Sequence, residues 1–255
     1  MTRFSSQYFD EQQYAKSGIA NYELMYGRNF ISPGGKETSA EFLKLLGLQS
    51  DMKVLDIGCG IGGCAFQIAT DYGAYVDGVD ISHNMIEIGS QRCEEQGLED
   101  KVKLYQADCL EREYDTTYDV VHSRDVFLHI QEKSRLFSMI RNVLAPGGLL
   151  AFTDYCRGQG PPSVEFNTYV HQREYCLHTV DEYRDWIERA GFLDVKAEDK
   201  TSYFLELNKR ELDRLAARNL NTEEVDDLMR EWRAKIRRIE NGEQRWGWFL
   251  ARNPA

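Results

Sequence analysis

The chain has 255 residues, and its 42 acidic residues outnumber its 31 basic ones, which gives a formal net charge of −11 at pH 7. Proteins that bind duplex nucleic acid usually present a basic face, so this balance argues against nucleic acid as a partner. No apolar run approaches the ~18 residues of a membrane span, and residues 1–26 lack the apolar segment of a signal peptide. We therefore expect a cytoplasmic protein that does not insert into a membrane. We also expect a monomer, a state that no feature of the sequence indicates.

The cysteines support the same compartment. Six are scattered along the chain, and none forms a Cys-x-x-Cys pair. Scattered thiols of this kind are typical of a reducing cytosol, and they indicate neither a disulfide framework nor a metal site.

A glycine-rich loop follows the first predicted strand, Val54 to Ile57. Four glycines then occur within six positions, at 58, 60, 62 and 63, and a helical pattern begins at Cys64. A strand, a glycine loop and a helix in this order are typical of nucleotide-binding units. The spacing also fits a dinucleotide site, but the carboxylate of Asp56 would repel a pyrophosphate and suits a cationic cofactor.

The segments that follow alternate between strand and helix patterns. Predicted strands cover residues 74–80, 102–108, 118–125, 149–154, 192–197 and 246–251, with helices between most of them. This alternation predicts an α/β, Rossmann-like, doubly wound sheet of about seven mostly parallel strands.

Acidic residues end five of these strands, and the ligand of such a sheet lies at that edge. The five are Asp56, Asp80, Asp108, Asp125 and Asp154. Asp80 stands where an acid can accept both ribose hydroxyls. Asp108 and Cys109 end the next strand, where adenine would lie, although Asp108 could equally cap a helix.

The regions outside the alternating core are predicted to cover it. Residues 8–35 contain a helix pattern closed by Gly27, and residues 157–178 place Arg173 on one helical face with Phe166 and Leu177. A guanidinium in such a stripe either reaches water or meets an anion. Lys235 borders the apolar stripe of a later helix, where a solvated surface position is the simplest interpretation. We expect one domain over 1–255: an N-terminal lid (8–35), a cofactor-binding core (36–156), an inserted substrate lid (157–180), and C-terminal helices with the last strand (181–255).

Several segments together carry a family resemblance. The pattern Asp-x-Gly-x-Gly-x-Gly at 56–62 resembles the first motif of methyltransferases that use S-adenosylmethionine. The chain also contains Phe30-Ile31-Ser32-Pro33-Gly34-Gly35, Ser123-Arg124-Asp125-Val126-Phe127-Leu128-His129, Tyr169-Val170-His171-Gln172-Arg173-Glu174-Tyr175 and Gln244-Arg245-Trp246-Gly247. From about Gln12 to Ala251 it resembles the phosphoethanolamine (phosphobase) N-methyltransferases.

The resemblance implies a role for each matched position. The positions matching the S-adenosylmethionine site are Asp56, Gly58, Gly60, Asp80, Ile81, Asp108, Cys109 and Arg124, with Cys109 expected to act through its backbone. Those matching the phosphobase site are Gln13, Ile31, Ser32, Tyr155, Tyr169, Arg173, Tyr175 and Lys235. Tyr14 and His129 match a catalytic pair that also latches the N-terminal segment, and Asp125 matches the carboxylate beside the amine.

The chemistry so implied is methyl transfer to an amine, without a metal. The amine must lose a proton before it attacks, and a histidine is the natural acceptor near neutral pH. Two alternatives remain at this stage: a methyltransferase for another small amine or a lipid-linked acceptor, and a non-catalytic protein that binds S-adenosylmethionine. A dehydrogenase fits less well, because Asp56 opposes a pyrophosphate.

Overall fold

The computed structural model describes residues 6–11, 14–218, 220 and 222–255. The strands are β1 (Lys53–Ile57), β2 (Tyr75–Asp80), β3 (Val102–Gln106), β4 (Tyr118–Arg124), β5 (Leu144–Arg157), β6 (Leu193–Asp199) and β7 (Gln244–Arg252). The helices are α1 (Ser6–Glu11), α2 (Lys16–Tyr26), α3 (Gly35–Leu43), α4 (Gly63–Tyr72), α5 (His83–Glu95), α6 (Lys133–Val143), α7 (Val164–Gln172), α8 (Val180–Arg189), α9 (Thr201–Ala216) and α10 (Glu223–Glu240), with a 3₁₀ turn at Phe127–His129.

The strands form one sheet in the order β3-β2-β1-β4-β5-β7-β6. Each pair is parallel except where β7 runs antiparallel between β5 and β6. The predicted fold class is confirmed. The strand order reverses between β1 and β4, and ligands of doubly wound sheets bind beyond the carboxyl ends of the strands at such a point.

Apolar cores cover both faces of the sheet. One contains Phe137, Phe152 and Phe249, and the other contains Phe42 and Trp246. The central strands read as continuous apolar runs because helices cover them on both sides.

A separate core joins the two ends of the chain. Met25, Tyr26 and Phe30, in and just after α2, pack with Leu215 of α9 and Trp232 of α10. The N-terminal and C-terminal segments thus share buried apolar surface beside the carboxyl ends of the strands.

One predicted helix is shorter than expected. The stripe from Phe166 to Leu177 predicted a helix through Arg173, but α7 ends at Gln172 and Arg173 is its C-terminal cap. Glu174 takes a left-handed backbone conformation (φ 55°), and the amide of Cys176 donates to the carbonyl of Leu128 at 2.7 Å. Pairing with the 3₁₀ turn therefore replaces the helical continuation. Sequence patterns also missed α1, α3 and the 3₁₀ turn, which are short.

Within the described part of the chain, no helix combines the length and the apolar character needed to span a membrane.

Candidate active site

Three adjoining cavities lie at the carboxyl ends of the strands. The first two share Tyr14, Gly58, Asp80 and His129 in their walls. The second and third share a set of tyrosines, which are Tyr22, Tyr26, Tyr155 and Tyr175. The space not filled by protein atoms is about 830 Å³ in each of the first two, including solvent at their open mouths. One continuous site can therefore hold a large and a small ligand side by side.

The first cavity is mainly apolar. Its walls include Ile57, Val79, Ile81, Ala107 and Leu110, with Asp80 and Asp108 among its polar members. A flat, largely apolar heterocycle of adenine size suits such a slot.

Asp108 acts as a turn cap in this structure, because its Oδ1 accepts from the amide of Leu110 at 3.0 Å. Its neighbour Cys109 also lines the first cavity, and the Cys109 carbonyl accepts from the hydroxyl of Tyr114 at 3.2 Å. Both predicted adenine neighbours thus border the cavity, although each also accepts a hydrogen bond from a nearby group of the protein.

Asp80 ties the glycine loop to the end of β2. Its two carboxylate oxygens accept from the amides of Gly60 and Ser82, each at 2.9 Å. Burial raises the pKa of Asp80 to about 6. Each carboxylate oxygen can accept a further hydrogen bond, so Asp80 remains available to ligand hydroxyls.

Gly60 lets two loops meet above β1. Its φ is 54°, and a Cβ atom there would lie 2.7 Å from Cδ1 of Ile31. Only glycine combines this backbone conformation with so close a neighbour. The loop that carries Ile31 and Ser32 can consequently close onto the glycine loop.

Two buried carboxylates in the second cavity each have one unpartnered oxygen. Oδ1 of Asp56 pairs with Nδ1 of His122 at 2.7 Å, and Oδ1 of Asp125 accepts from Trp246 Nε1 at 2.7 Å and Thr153 Oγ1 at 3.1 Å. The Oδ2 atoms of both aspartates are buried and have no hydrogen-bond partner in the described structure. Such atoms are costly unless a ligand supplies a donor or a positive charge.

Asp125 is also unusual in its backbone, with φ at 57°. Burial raises the pKa of its carboxyl, opposed by the positive charge of Arg124 and by hydrogen bonds from Trp246 and Thr153. Residues held in left-handed conformations by their surroundings concentrate at functional sites.

Tyr14 and His129 meet at the junction of the first two cavities. The Tyr14 hydroxyl lies 3.3 Å from Nε2 of His129. Burial lowers the pKa of His129 to about 4, reinforced by the charges of Lys133 and Arg173. Burial raises the pKa of Tyr14 well above its usual value. At neutral pH the pair is therefore a neutral imidazole beside a protonated phenol.

Arg124 shapes the loop above the second cavity. Its Nη2 donates to the carbonyl of Pro33 at 2.8 Å, and Nη1 donates to the carbonyl of Gly35 at 3.4 Å. The guanidinium is 5% exposed and lines the cavity. It fixes the loop containing Ile31 and Ser32 while presenting positive charge to the site.

The third cavity contains buried cations among aromatic rings. Lys235 is 7% exposed, and its Nζ lies 3.1 Å from the hydroxyl of Tyr155 and 3.3 Å from that of Tyr26. Burial lowers the pKa of Lys235 to about 8. The interpretation of Lys235 as a solvated surface residue is wrong, because rings of α2, α9 and α10 surround its ammonium group.

Arg173 and Arg238 complete the positive wall of this cavity. Arg173 Nη2 lies 3.5 Å from Oε1 of Glu231, and its guanidinium hydrogen-bonds Tyr22. The Arg238 guanidinium lies 3.7 Å from the ring centre of Tyr169. Within the part of the chain that the structure describes, neither Lys235 nor Arg238 has a carboxylate within 4.0 Å, so a buried anion would complete the site.

The structure brings nearly all predicted site residues together. Those in the walls of the three cavities are Tyr14, Ile31, Ser32, Asp56, Gly58, Asp80, Ile81, Asp108, Cys109, Arg124, Asp125, His129, Tyr155, Tyr169, Arg173, Tyr175 and Lys235. Gly60 acts behind them through its amide, and Gln13 lies outside the described residues.

Among the residues that the sequence analysis did not single out are Tyr22, Tyr26 and Arg238, which line the second or third cavity, and His122, which pairs with Asp56 behind it. Arg238 follows Lys235 by three positions on α10, and Tyr22 precedes Tyr26 by four on α2, so helical spacing was an available signal. No pattern pointed to His122, since it reads as an ordinary strand residue. Among the described residues, no group of three or more His, Cys, Asp or Glu side chains could hold a metal ion.

Comparisons with known proteins agree with this geometry. Residues 48–231 match a family model described as a methyltransferase domain. The chain is 42% identical over 251 residues to phosphoethanolamine N-methyltransferase 1 of Arabidopsis thaliana, with 96% of the chain and 51% of that protein covered. It is 34% identical to the Plasmodium falciparum phosphoethanolamine N-methyltransferase, over 96% of the chain and 94% of that protein.

A solved structure is similar throughout. Phosphoethanolamine N-methyltransferase 2 of Haemonchus contortus, in complex with phosphomonomethylethanolamine and S-adenosylhomocysteine, superposes with a TM-score of 0.94 at 34% identity. That match covers 99% of this chain and 61% of the other. The chain thus spans about half the length of the plant relatives and nearly all of the Plasmodium protein. On the family model, the near-complete match to the Plasmodium protein and the shared structure, the chain belongs to the phosphoethanolamine N-methyltransferase family of methyltransferase-domain proteins.

Proposed function

We propose that the chain transfers a methyl group from S-adenosylmethionine to the amine of phosphoethanolamine or its mono- and dimethyl forms, toward phosphocholine. One observation carries the proposal. The carboxylate oxygen of Asp125 that lacks a partner and the buried cations Lys235 and Arg238 lie in adjoining cavities that share Tyr155 in their walls. A small molecule with a cationic amine at one end and a phosphate at the other matches this arrangement of charge.

The residues of the first two cavities fit the cofactor. The apolar slot suits adenine, Asp80 suits the ribose hydroxyls, and the buried oxygen of Asp56 suits the ammonium group. When bound, S-adenosylmethionine supplies a methyl group on a positively charged sulfur that leaves as a neutral thioether. The Haemonchus relative, whose structure contains S-adenosylhomocysteine, supports this assignment.

The phosphate end of the acceptor is assigned to the third cavity. Arg173, Lys235 and Arg238 supply positive charge, while Tyr155 and Tyr175 supply hydroxyl donors. The acceptor lies across the shared wall of tyrosines, with its amine toward Asp125 and His129.

The residues around the amine then perform the proton chemistry. An alkylammonium has a pKa near that of lysine, about 10.4, so an acceptor amine is mostly protonated at neutral pH. His129 is neutral and can take the proton, and Tyr14 orients its Nε2. A bound phosphate in the next cavity offsets the charge of Arg173, which favours the protonated imidazole. Asp125 holds the amine in place. The lone pair of the amine nitrogen forms the new bond to the methyl carbon, and the bond between that carbon and sulfur breaks.

We also propose a cytoplasmic location, supported by the free state of all six thiols. The monomeric state remains a prediction that sedimentation velocity would test. A methyltransferase for an unphosphorylated amine remains a candidate, but it would leave the cations of the third cavity without a ligand.

The decisive experiment measures transfer of a radiolabelled methyl group to each of the three phosphobases, with free ethanolamine as the control. We expect transfer to at least one phosphobase and little to ethanolamine. Equal transfer to ethanolamine would refute the phosphate assignment. Binding of S-adenosylhomocysteine without transfer to any acceptor would favour a binding protein.

A further inference from the structure

A lysine outside the three cavities lies directly behind the 3₁₀ turn that carries His129. Lys133 is 1% exposed, although lysine is almost never fully buried without a partner. It is also the first residue of α6, where the positive end of the helix dipole disfavours a cation. Formation of α6 therefore does not explain this residue.

The contacts of Lys133 are concentrated on the 3₁₀ turn. Its ammonium donates to the carbonyl of Phe127 at 2.8 Å and also to the carbonyl of Ile130. These two carbonyls lie on either side of His129 in the chain. The ammonium also hydrogen-bonds the Cys176 side chain, and the amide of Cys176 donates to the carbonyl of Leu128.

The turn has little stability of its own. A 3₁₀ segment of three residues forms few internal hydrogen bonds, with poorer geometry than an α-helix. The order of the turn therefore depends on hydrogen bonds from outside it, and Lys133 donates two of these, to the carbonyls of Phe127 and Ile130. Asp154 is a buried carboxylate that accepts a hydrogen bond from the Tyr183 hydroxyl. Its negative charge attracts the ammonium group of Lys133.

We infer that Lys133 is a positioning residue for the proposed methyl transfer: its ammonium fixes the turn that presents the His129 imidazole to the acceptor amine. The inference rests on the proposed function and adds a residue that lies in none of the three cavities. The lysine charge also repels a proton on the imidazole, a smaller effect than burial. The other charged or titratable groups around His129 are Tyr14, Glu132, Arg173 and Tyr175.

The test compares Lys133→Met, which removes donors and charge, with Lys133→Gln, which keeps a donor without charge. Lys209→Met is the matched control, because Lys209 lies on α9 and forms an exposed ion pair with Glu240. For Lys133→Met we expect kcat to fall at least tenfold, while the affinity for S-adenosylhomocysteine changes less than threefold. The acidic limb of the pH profile should move to higher pH, because loss of a nearby cation makes His129 easier to protonate. Lys133→Gln should recover part of kcat.

A folded Lys133→Met variant with kcat within twofold of wild type and an unchanged pH profile would overturn the inference. If neither variant folds, hydrogen exchange of the Lys133 ammonium protons, followed by nitrogen NMR on the wild-type protein, decides. Protection of these protons supports the hydrogen bonds to the carbonyls of Phe127 and Ile130, whereas exchange as fast as that of the exposed Lys209 contradicts the inference. Absence of methyl transfer by the wild-type chain would refute the proposed function, and the exchange measurement would still test the contacts of Lys133 with the turn.

Discussion

The hydroxyl of Tyr14 lies 3.3 Å from Nε2 of His129, although 115 positions separate the two residues. The contact links the segment before α2 to the 3₁₀ turn after β4. It closes the N-terminal segment over the junction of the first two cavities and, in the same contact, orients the proposed base. The N-terminal segment and the proposed proton acceptor are thus linked by one hydrogen bond.

Replacing the proposed base should separate chemistry from cofactor binding. We expect His129→Ala to lower kcat by about 10²–10⁴-fold, the usual contribution of a general base. Affinity for S-adenosylhomocysteine, measured by calorimetry, should change little, because the proposed cofactor contacts of Asp56, Asp80 and Asp108 stay intact. Unchanged turnover would remove His129 from the mechanism. Tyr14→Phe should lower kcat about tenfold, because one hydrogen bond is lost while the ring remains.

The positive wall of the third cavity, which we propose binds the phosphate, should affect the KM of the phosphobase. We expect Arg173→Ala to raise the KM of the phosphobase about 10- to 100-fold, because one charge-assisted hydrogen bond is worth about 1.5–3 kcal/mol. Arg238→Gln should act in the same direction, and Arg237→Gln, exposed on the same helix, is its control. Steady-state kinetics with fixed, saturating cofactor would measure both. A loss of cofactor affinity equal to the rise in KM would contradict the assignment of the phosphate to the third cavity.

The charge of Asp125 can be removed without disturbing its backbone. Asparagine tolerates the left-handed conformation that Asp125 adopts at φ 57°. We therefore expect Asp125→Asn to retain the thermal stability of the wild type. Its affinity for phosphocholine, a permanent cation, should fall about tenfold or more. Unaltered phosphocholine affinity in calorimetry would place the amine elsewhere.

Binding of phosphocholine should weaken as pH rises through about 8. Its nitrogen cannot titrate, and its phosphate is fully ionised above pH ~7, so only protein groups change charge in this range. Lys235, with its pKa lowered to about 8, is charged below that pH and neutral above it. Dissociation constants measured from pH 7 to 9.5 should therefore rise at the basic end. Lys235→Met should show weak binding with a flatter profile, and a profile as steep as that of the wild type would assign the titration to another group.

Asp80 should matter for the cofactor and not for the acceptor. We expect Asp80→Asn to weaken binding of S-adenosylhomocysteine about tenfold, because an amide has only one acceptor oxygen for the loop amides and the ribose. In the wild type, cofactor affinity should decline as pH falls through about 6, where the carboxyl of Asp80 takes up a proton. Calorimetric titrations between pH 5 and 7.5 would check both statements. An affinity that is constant over that range would contradict the role of Asp80.

The sequence by itself determined the sheet, the glycine loop and the row of acids at the strand ends. These depend on local periodicity and on the rule that parallel strands end at one edge, which require no knowledge of distant contacts. The placement of Asp56, Asp80 and Asp125 followed from that rule, as did the position of the cofactor slot.

Only the tertiary structure decided the environment of the cations. Lys235 reads as a surface lysine until α2 and α9 enclose it, and Arg173 reads as helical until Cys176 pairs with the 3₁₀ turn. The contact of Asp56 with His122 and the burial of Lys133 are likewise invisible to periodicity. Burial and unsatisfied hydrogen bonds arise from residues far apart in the chain, so the charge pattern of the acceptor site emerges only on folding.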